Sequence, residues 1–159
     1  MDYFQIELTK DQITRVDEDI FNQISGQKWQ AHWSYNKYRA EKGSKKNGKS
    51  FHIHLHRMIM GNPPKNMDVD HINGDTLDNR RENLRICTHA ENARNCGARS
   101  HNKSGIKGVN FDRKRNKWLA LITYNGKTKN LGRYDTSELA HAAYVKASTL
   151  LYGEFARAR

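Results

Sequence analysis

Asp70 and His71 stand side by side in the stretch VDHINGDTLDNRRENLRICTHAEN, which runs from Val69 to Asn92. A carboxylate is a hard oxygen ligand of the kind that Mg²⁺ and Mn²⁺ take. A neutral imidazole beside it is a general base suited to neutral pH. Together they could hydrolyse a phosphodiester. The imidazole deprotonates the attacking water, while a divalent cation neutralises the phosphate and assists the departing 3′ oxygen. Asn92 would add a neutral carbonyl oxygen and leave coordination positions for phosphate oxygens and water. The Asp-His pair alone is a weak signal, because a histidine bonded to a loop backbone is commoner than a catalytic one.

Short elements must position these groups. Val69 to His71 reads as a strand, Asn73 to Asp75 as a turn and Leu84 to Ile86 as a returning strand. Thr88 and Glu91 have the S/T-x-x-E spacing of a capping box, so a helix should start at Thr88 and carry Asn92 in its first turns. Upstream, Trp29, Ala31, Trp33 and Tyr35 alternate as in a strand. GSKKNGKS reads as a basic loop. FHIHLHRM alternates again and puts His52, His54 and His56 on one strand face. No carboxylate accompanies them in the sequence, so they read as a solvent-facing strand rather than a metal box. Arg57 to Gly61 reads as a short helical turn, with Pro63 and Pro64 beyond it.

Downstream, CGARSHNKSG from Cys96 to Gly105 is polar and aperiodic, a linker. Lys107 to Asp112 suggests a strand. KWLALITY and KTKNLGRY flank Asn125-Gly126, the pair that a two-residue hairpin turn favours because both positions need positive φ. That turn predicts the pairs Tyr124–Lys127, Thr123–Thr128, Leu121–Asn130 and Ala120–Leu131. A helix follows, with Asp135 and Glu138 spaced as a cap, Leu139, Ala143, Ala147 and Leu150 at helical spacing, and Gly153 at its end. Trp118, Ala120, Ile122, Tyr124 and Leu131 should face that helix, which makes Trp118 core rather than a stacking platform. Lys117, Leu119, Leu121, Thr123, Thr128 and Asn130 form the other face, beside the loop of Arg113, Lys114 and Arg115. A small sheet of this kind fits the major groove of DNA.

The 159 residues carry a net charge of +11. Residues 97–159 hold 13 basic and 4 acidic side chains, whereas residues 51–96 hold 6 of each. The positive field therefore belongs to the C-terminal part, and a polyanion is the expected partner. Hydrophobic residues make up 36%, which suits several thin modules better than one large core. Two cysteines, Cys87 and Cys96, read as reduced thiols. No apolar run is long enough to span a membrane, and the first residues lack the pattern of a secretory signal. The expected location is the cytoplasm, that of a host cell if the gene is phage-borne.

The stretch from Val69 to about Asn95 closely resembles the HNH endonuclease motif of phage and intron-encoded homing nucleases, the ββα-metal finger. Asp-His, Gly-Asp, Asn-Arg-x-x-Asn-Leu and the final His-x-x-Asn match in order. The resemblance implies His71 as general base and Asp70 as metal ligand. It implies Asn83 as the middle residue that holds the loop, and Asn92 as the last position and second ligand. The last position is usually His. His89, one turn earlier, is the rival for it and would favour softer ions. LHRMIMG, from Leu55 to Gly61, resembles the segment that precedes the finger in such phage proteins. Ser104 to about Ala156 resembles an AP2 DNA-binding domain through SGIKGVNFD, KW, NGK, LGRYDTSELAHAAY and YGEFA. That family is a three-stranded sheet plus a helix whose sheet reads the major groove. Plant members place Arg, Glu and Trp on the reading strands. Here those places fall largely to Lys107, Asn110, Leu121, Thr123, Thr128 and Asn130.

The expectation is an α+β chain. A small β-rich part with an HNH finger occupies 1–96, the finger itself about 67–96. A basic linker at 97–104 leads to an AP2-like domain at 105–159. The expected activity is that of a Mg²⁺-dependent DNA endonuclease of homing type, with Mn²⁺ as the other candidate ion. It would nick one strand of duplex DNA and leave 5′-phosphate and 3′-hydroxyl ends. Catalysis would rest on His71, Asn83 and Asn92, the ion on Asp70 and Asn92. DNA contacts would come from Lys107, Asn110, Arg113, Lys114, Arg115, Lys117, Thr123, Thr128 and Asn130. A monomer or weak dimer needs no protein partner. The rivals are a DNA-binding regulator with a structural finger, and an RNA-binding module.

Overall fold

Two-residue turns fix the strand pairing along this chain. Tyr35-Asn36, Asn47-Gly48 and Asn125-Gly126 all take positive φ at both positions, the conformation that matches the right-handed twist of the strands on either side. The computed structural model describes residues 3–98 and 102–157. Arg99, Ser100 and His101, in the expected linker, lie outside the described residues. The chain divides into two compact units, Met1–His89 and Ala90–Arg159.

The first unit opens with a hairpin of β1 (Phe4–Glu7) and β2 (Ile13–Val16), followed by α1 (Glu18–Ile24). Next comes an antiparallel sheet of β3 (Gln30–Ser34), β4 (Lys37–Lys46) and β5 (Lys49–His54), with β4 in the centre. The stretch GSKKNGKS is thus two strand ends around the Asn47-Gly48 turn, not a loop. A short helix α2 (Leu55–Ile59) leads to β6 (Met67–His71), which pairs antiparallel with β7 (Leu84–Thr88). Ile6, Val16, Ile20, Ile24, Trp29, Ala31, Ala40 and Leu55 form the apolar core.

The histidine alternation resolves differently from the sequence reading. His56 belongs to α2 rather than to the strand. Its place on the strand face is taken by His32 of β3. His32, His52 and His54 turn Nδ1 towards the buried carboxylate of Glu41, at 3.4, 3.0 and 3.6 Å. The carboxylate absent from the local sequence comes from the neighbouring strand.

In the second unit, α3 (His89–Asn95), which starts at the end of the first, continues into β8 (Val109–Asp112), β9 (Lys117–Tyr124), β10 (Lys127–Tyr134) and α4 (Ser137–Tyr152). The sheet order is β10-β9-β8. Tyr124, Thr123 and Leu121 pair with Lys127, Thr128 and Asn130, as the turn dictates. A bulge then slips the register, so Ala120 faces Gly132 and not Leu131. Gly132 holds φ at 128° there, which only glycine adopts freely. The cap also moves by one residue: the Thr136 hydroxyl, not Asp135, accepts from the Leu139 amide. Ala120, Val109 and Ala140 form one buried cluster with Trp118 packed against it, and Ile122, Tyr144 and Tyr152 form another.

Gly108 is the closest approach between sheet and helix. Its φ is +74°, and an added Cβ would lie 2.0 Å from Cδ2 of the buried Tyr144 ring. The ring base has no room to give. Gly108→Ala should destabilise the second unit by roughly 2–4 kcal/mol, combining backbone strain with overpacking. Hydrogen exchange should then accelerate at β9 and α4 amides while β4 and β6 keep their protection. Unchanged exchange at β9 would contradict this packing.

Candidate active site and nucleic-acid interface

The loop between β6 and β7 holds few apolar groups, so side-chain hydrogen bonds must fix its shape. Asn83, which ends a single 3₁₀ turn (Arg81–Asn83), closes it from inside. Its Oδ1 accepts from the Asn73 amide at 2.9 Å, and its Nδ2 donates to the Asp78 carbonyl at 2.8 Å. Asn73 Oδ1 accepts from the Asp75 amide, and Asn73 Nδ2 donates to Asp78 Oδ2. Arg80 forks onto both oxygens of Asp78 at 2.7 Å. That guanidinium holds the Asp78 carboxyl below its ordinary pKa. Outside the loop, Lys37 Nζ donates to the Gly74 carbonyl at 2.6 Å and the Thr76 hydroxyl donates to the Tyr38 carbonyl at 2.5 Å.

The N-terminal hairpin grips the same loop. The Arg15 amide donates to the Leu77 carbonyl, and the Asn79 amide donates to the Arg15 carbonyl. Arg15 also pairs with Asp75. Through this join, Asn79 and Thr14 reach His71. His71 Nε2 lies 3.1 Å from Asn79 Oδ1, Asn79 Nδ2 donates to Thr14 Oγ1 at 2.8 Å, and the Thr14 hydroxyl donates to the Leu77 carbonyl at 2.8 Å.

His71 lies deeper than its place beside a polar loop suggests, with 5% of its surface exposed. Burial pushes its pKa below the usual histidine value, against the opposing pull of the Asn79 bond and the Asp70 charge. The ring therefore stands neutral at pH 7, the state a general base requires. It meets the His56 ring edge-on at 5.3 Å. His56 is pushed down to about 3, first by burial and then by the charge of His71.

Asp70 faces Arg85 across the two strands. Its Oδ2 accepts from Arg85 Nε at 3.0 Å and Nη2 at 2.8 Å. Two residues back, Asp68 pairs with His89 Nδ1 at 2.8 Å, so the rival His89 is tied to a different carboxylate. Among the described residues, no group of three His, Cys, Asp or Glu side chains is gathered as a metal centre. An ion that needs a full protein cage, such as structural zinc, does not fit. The Asp70 carboxylate is a hard oxygen donor of the kind that Mg²⁺ takes, an ion that uses one or two protein oxygens and completes its shell with water and phosphate. One oxygen of that carboxylate already accepts from Arg85.

Two family profiles and two relatives match this chain. The profile of the HNH endonuclease family matches residues 49–94, and that of the AP2 domain matches residues 104–154. Protein 3.8 of Escherichia phage T7 is 33% identical over 108 residues, 68% of this chain and 88% of its own. An uncharacterized HNH endonuclease of Acanthamoeba polyphaga mimivirus is 30% identical over 138 residues, 84% of this chain and 71% of its own. The chain belongs to the HNH endonuclease family. No solved structure matches it.

In this member of the HNH family the AP2 domain points to DNA as the partner, and the described residues include no helix long and apolar enough to cross a membrane. The expected contact residues divide into groups. Arg113, Lys114, Arg115, Asn110, Thr123, Thr128 and Asn130 are exposed. Thr123 and Thr128 join their hydroxyls across the strands at 2.9 Å, and Asn130 Oδ1 accepts from the Gly132 amide at the bulge. Arg115 and Arg133 share Asp112. Lys107 and Lys117 are half-buried and have partners within the chain. Lys117 pairs with Asp135. Lys107 Nζ donates to the Arg94 carbonyl and, at 2.6 Å, to that of Cys96, so it caps the last open carbonyls of α3. Burial also lowers its pKa. Lys107, Asn110, Leu121 and Thr123 line one wall of a cleft of about 750 Å³ whose other wall is the end of α3. Arg94 enters there, its guanidinium 5.6 Å from the Tyr124 ring and 5.2 Å from Tyr152. Asn92 is half-buried on α3, in the second unit.

Thr14, Asn79 and Arg85 were not singled out in the sequence. Asn79 sits within the matched motif and could have been weighed with Asn83. Thr14 lies far away and carries no motif.

The buried His71 and the half-buried His56 make stability depend on pH with a definite sign. Unfolded histidines bind a proton near pH 6.5, whereas His56 in the folded chain does so near pH 3. Between these values the unfolded state holds more protons. Stability of the first unit is therefore complete above about pH 6.5 and declines as pH falls towards 3. Below the ordinary Asp value, loss of the Asp78–Arg80 pair adds to the decline. Thermal unfolding followed from pH 7 to pH 4 should show the loss, and His56→Leu should flatten it. An unchanged slope in that variant would mean His56 is not held neutral.

Proposed function

We propose that the chain is a metal-dependent DNA endonuclease of homing type that nicks duplex DNA and leaves 5′-phosphate and 3′-hydroxyl ends. The observation that carries this reading is the His71 imidazole, held by Asn79 next to Asp70 at the edge of a loop that Asn83 braces from within. His71 accepts the proton of the attacking water as oxygen adds to phosphorus and the bond to the 3′ oxygen breaks. Asn83 keeps the loop rigid, so the imidazole meets the backbone at a fixed place. Asp70 and Asn92 are the residues that would hold Mg²⁺ or Mn²⁺, an ion whose charge serves the phosphate and the departing 3′ oxygen. Arg85, beside Asp70, adds a second positive charge near that position.

The AP2 domain supplies affinity. Its loop of Arg113, Lys114 and Arg115 meets phosphates, and Asn110, Thr123, Thr128 and Asn130 face the groove. One finger has one reactive centre, so a monomer cuts one strand, and a double-strand break needs two copies or two encounters. The chain acts in the cytoplasm of a host cell, where cysteines such as Cys87 and Cys96 stay reduced.

One observation favours a second reading, a DNA-binding regulator whose finger is structural only. One oxygen of Asp70, Oδ2, already accepts two bonds from the Arg85 guanidinium, and His71 is buried. Supercoiled plasmid with Mg²⁺ or Mn²⁺ separates the two. The nuclease reading expects relaxed circles from the unaltered chain, a rate about 10²–10⁴-fold lower for His71→Ala, and equal plasmid binding by both. Binding without nicking by the unaltered chain in either metal assigns the regulator.

A further inference from the structure

Thr14 is fully buried on β2, two residues from the core residue Val16. Valine has the same shape and would fill that place without a polar atom. A buried hydroxyl there needs partners, and both of them belong to the loop that follows β6. The hydroxyl proton goes to the Leu77 carbonyl at 2.8 Å. The oxygen is then left as acceptor and takes Asn79 Nδ2 at 2.8 Å. This decides which way round the Asn79 amide sits. With its NH₂ group turned to Thr14, its carbonyl oxygen faces His71 Nε2 at 3.1 Å. An acceptor at that distance requires a proton on Nε2, so the neutral ring keeps its lone pair on Nδ1. Asn79 is itself 1% exposed, and the backbone bonds between Arg15, Leu77 and Asn79 hold both ends of the chain of bonds in place.

We propose that Thr14 and Asn79 are positioning residues for the reaction: through the fixed orientation of the Asn79 amide they set the tautomer of His71, so that Nδ1 is the nitrogen that receives the proton. This rests on the nuclease reading above. It also gives the N-terminal hairpin, outside the matched HNH segment, a part in the active centre. Without the Thr14 hydroxyl, the amide loses the acceptor that holds its NH₂ group away from His71. A flipped amide presents NH₂ to Nε2, which favours the other tautomer and places the proton on the nitrogen that should accept one.

The test uses the full chain with ¹⁵N-labelled histidine at pH 7.5, without DNA. Long-range proton–nitrogen spectra report which ring nitrogen carries the proton, and His71→Gln identifies the signals. The unaltered chain should show His71 protonated on Nε2. Thr14→Val should give a mixture or the opposite tautomer, and Thr14→Ser, which keeps the hydroxyl, should restore the original pattern. On supercoiled plasmid, Thr14→Val should nick about tenfold more slowly and Asn79→Ala about a hundredfold, with plasmid binding unchanged and Thr14→Ser close to the unaltered rate. If Asn79→Ala fails to fold, the isosteric Thr14→Val carries the test alone. A proton on Nδ1 in the unaltered chain, or an Nε2 pattern unaffected by Thr14→Val, overturns the proposal whatever the cleavage result. A correct tautomer in a chain that never nicks overturns the nuclease reading, and the catalytic role of Thr14 and Asn79 goes with it.

Discussion

A polar loop buried in a small unit is stable only if its own groups satisfy one another. Asp78, Asn79 and Asn83 are each 5% exposed or less. Each such group left without a partner would cost about 1–3 kcal/mol, against a folding margin of roughly 5–15 kcal/mol for a whole domain. The loop after β6 meets this constraint by drawing on two distant places. Asn83 and Arg80 close it from within, and the edge of β2 closes it from outside. The matched HNH segment is therefore not a self-sufficient finger here. Its shape depends on a hairpin more than 50 residues upstream, joined by backbone bonds rather than by apolar contact alone.

The same burial sets the electrostatics. Desolvation keeps the imidazoles of His56 and His71 neutral. Asp70 pairs with Arg85 and Asp68 with His89. The segment that carries the HNH motif balances its charges: residues 51–96 sum to zero. The excess positive charge is carried by the second unit, and there it is selective. Lys107 and Lys117 spend their charge on internal partners, whereas Arg113 and Lys114 lie exposed on the β8–β9 loop. Counting basic residues overstates the surface that meets a phosphate backbone.

The parts legible in the sequence were those with short-range rules. The Asn125-Gly126 turn fixed the β9–β10 pairing because its backbone geometry leaves one solution, and the strands run as KWLALITY and KTKNLGRY indicate. β6 and β7 followed from short apolar runs on either side of a turn. Other features depend on tertiary contacts. The bulge at Leu131 and Gly132 has no signature beyond a glycine in a strand. The β4–β5 hairpin was hidden because lysines on an exposed strand erase the apolar alternation, although its Asn-Gly turn was in plain view. The grouping of His32, His52 and His54 around Glu41 needs three strands in register. Thr14 is the extreme case, a residue whose side chain gains meaning only when a segment 65 residues away lies against it.

Hydrolysis of a DNA phosphodiester by attack of water on phosphorus, with the 3′ oxygen leaving, would mark its products. Cleavage of a defined duplex in H₂¹⁸O, with mass spectrometry of the new ends, tests it most directly. The account predicts one ¹⁸O atom in the 5′-phosphate and an unlabelled 3′-hydroxyl. Label in a 3′-phosphate, or ends that carry no label at all, would contradict it.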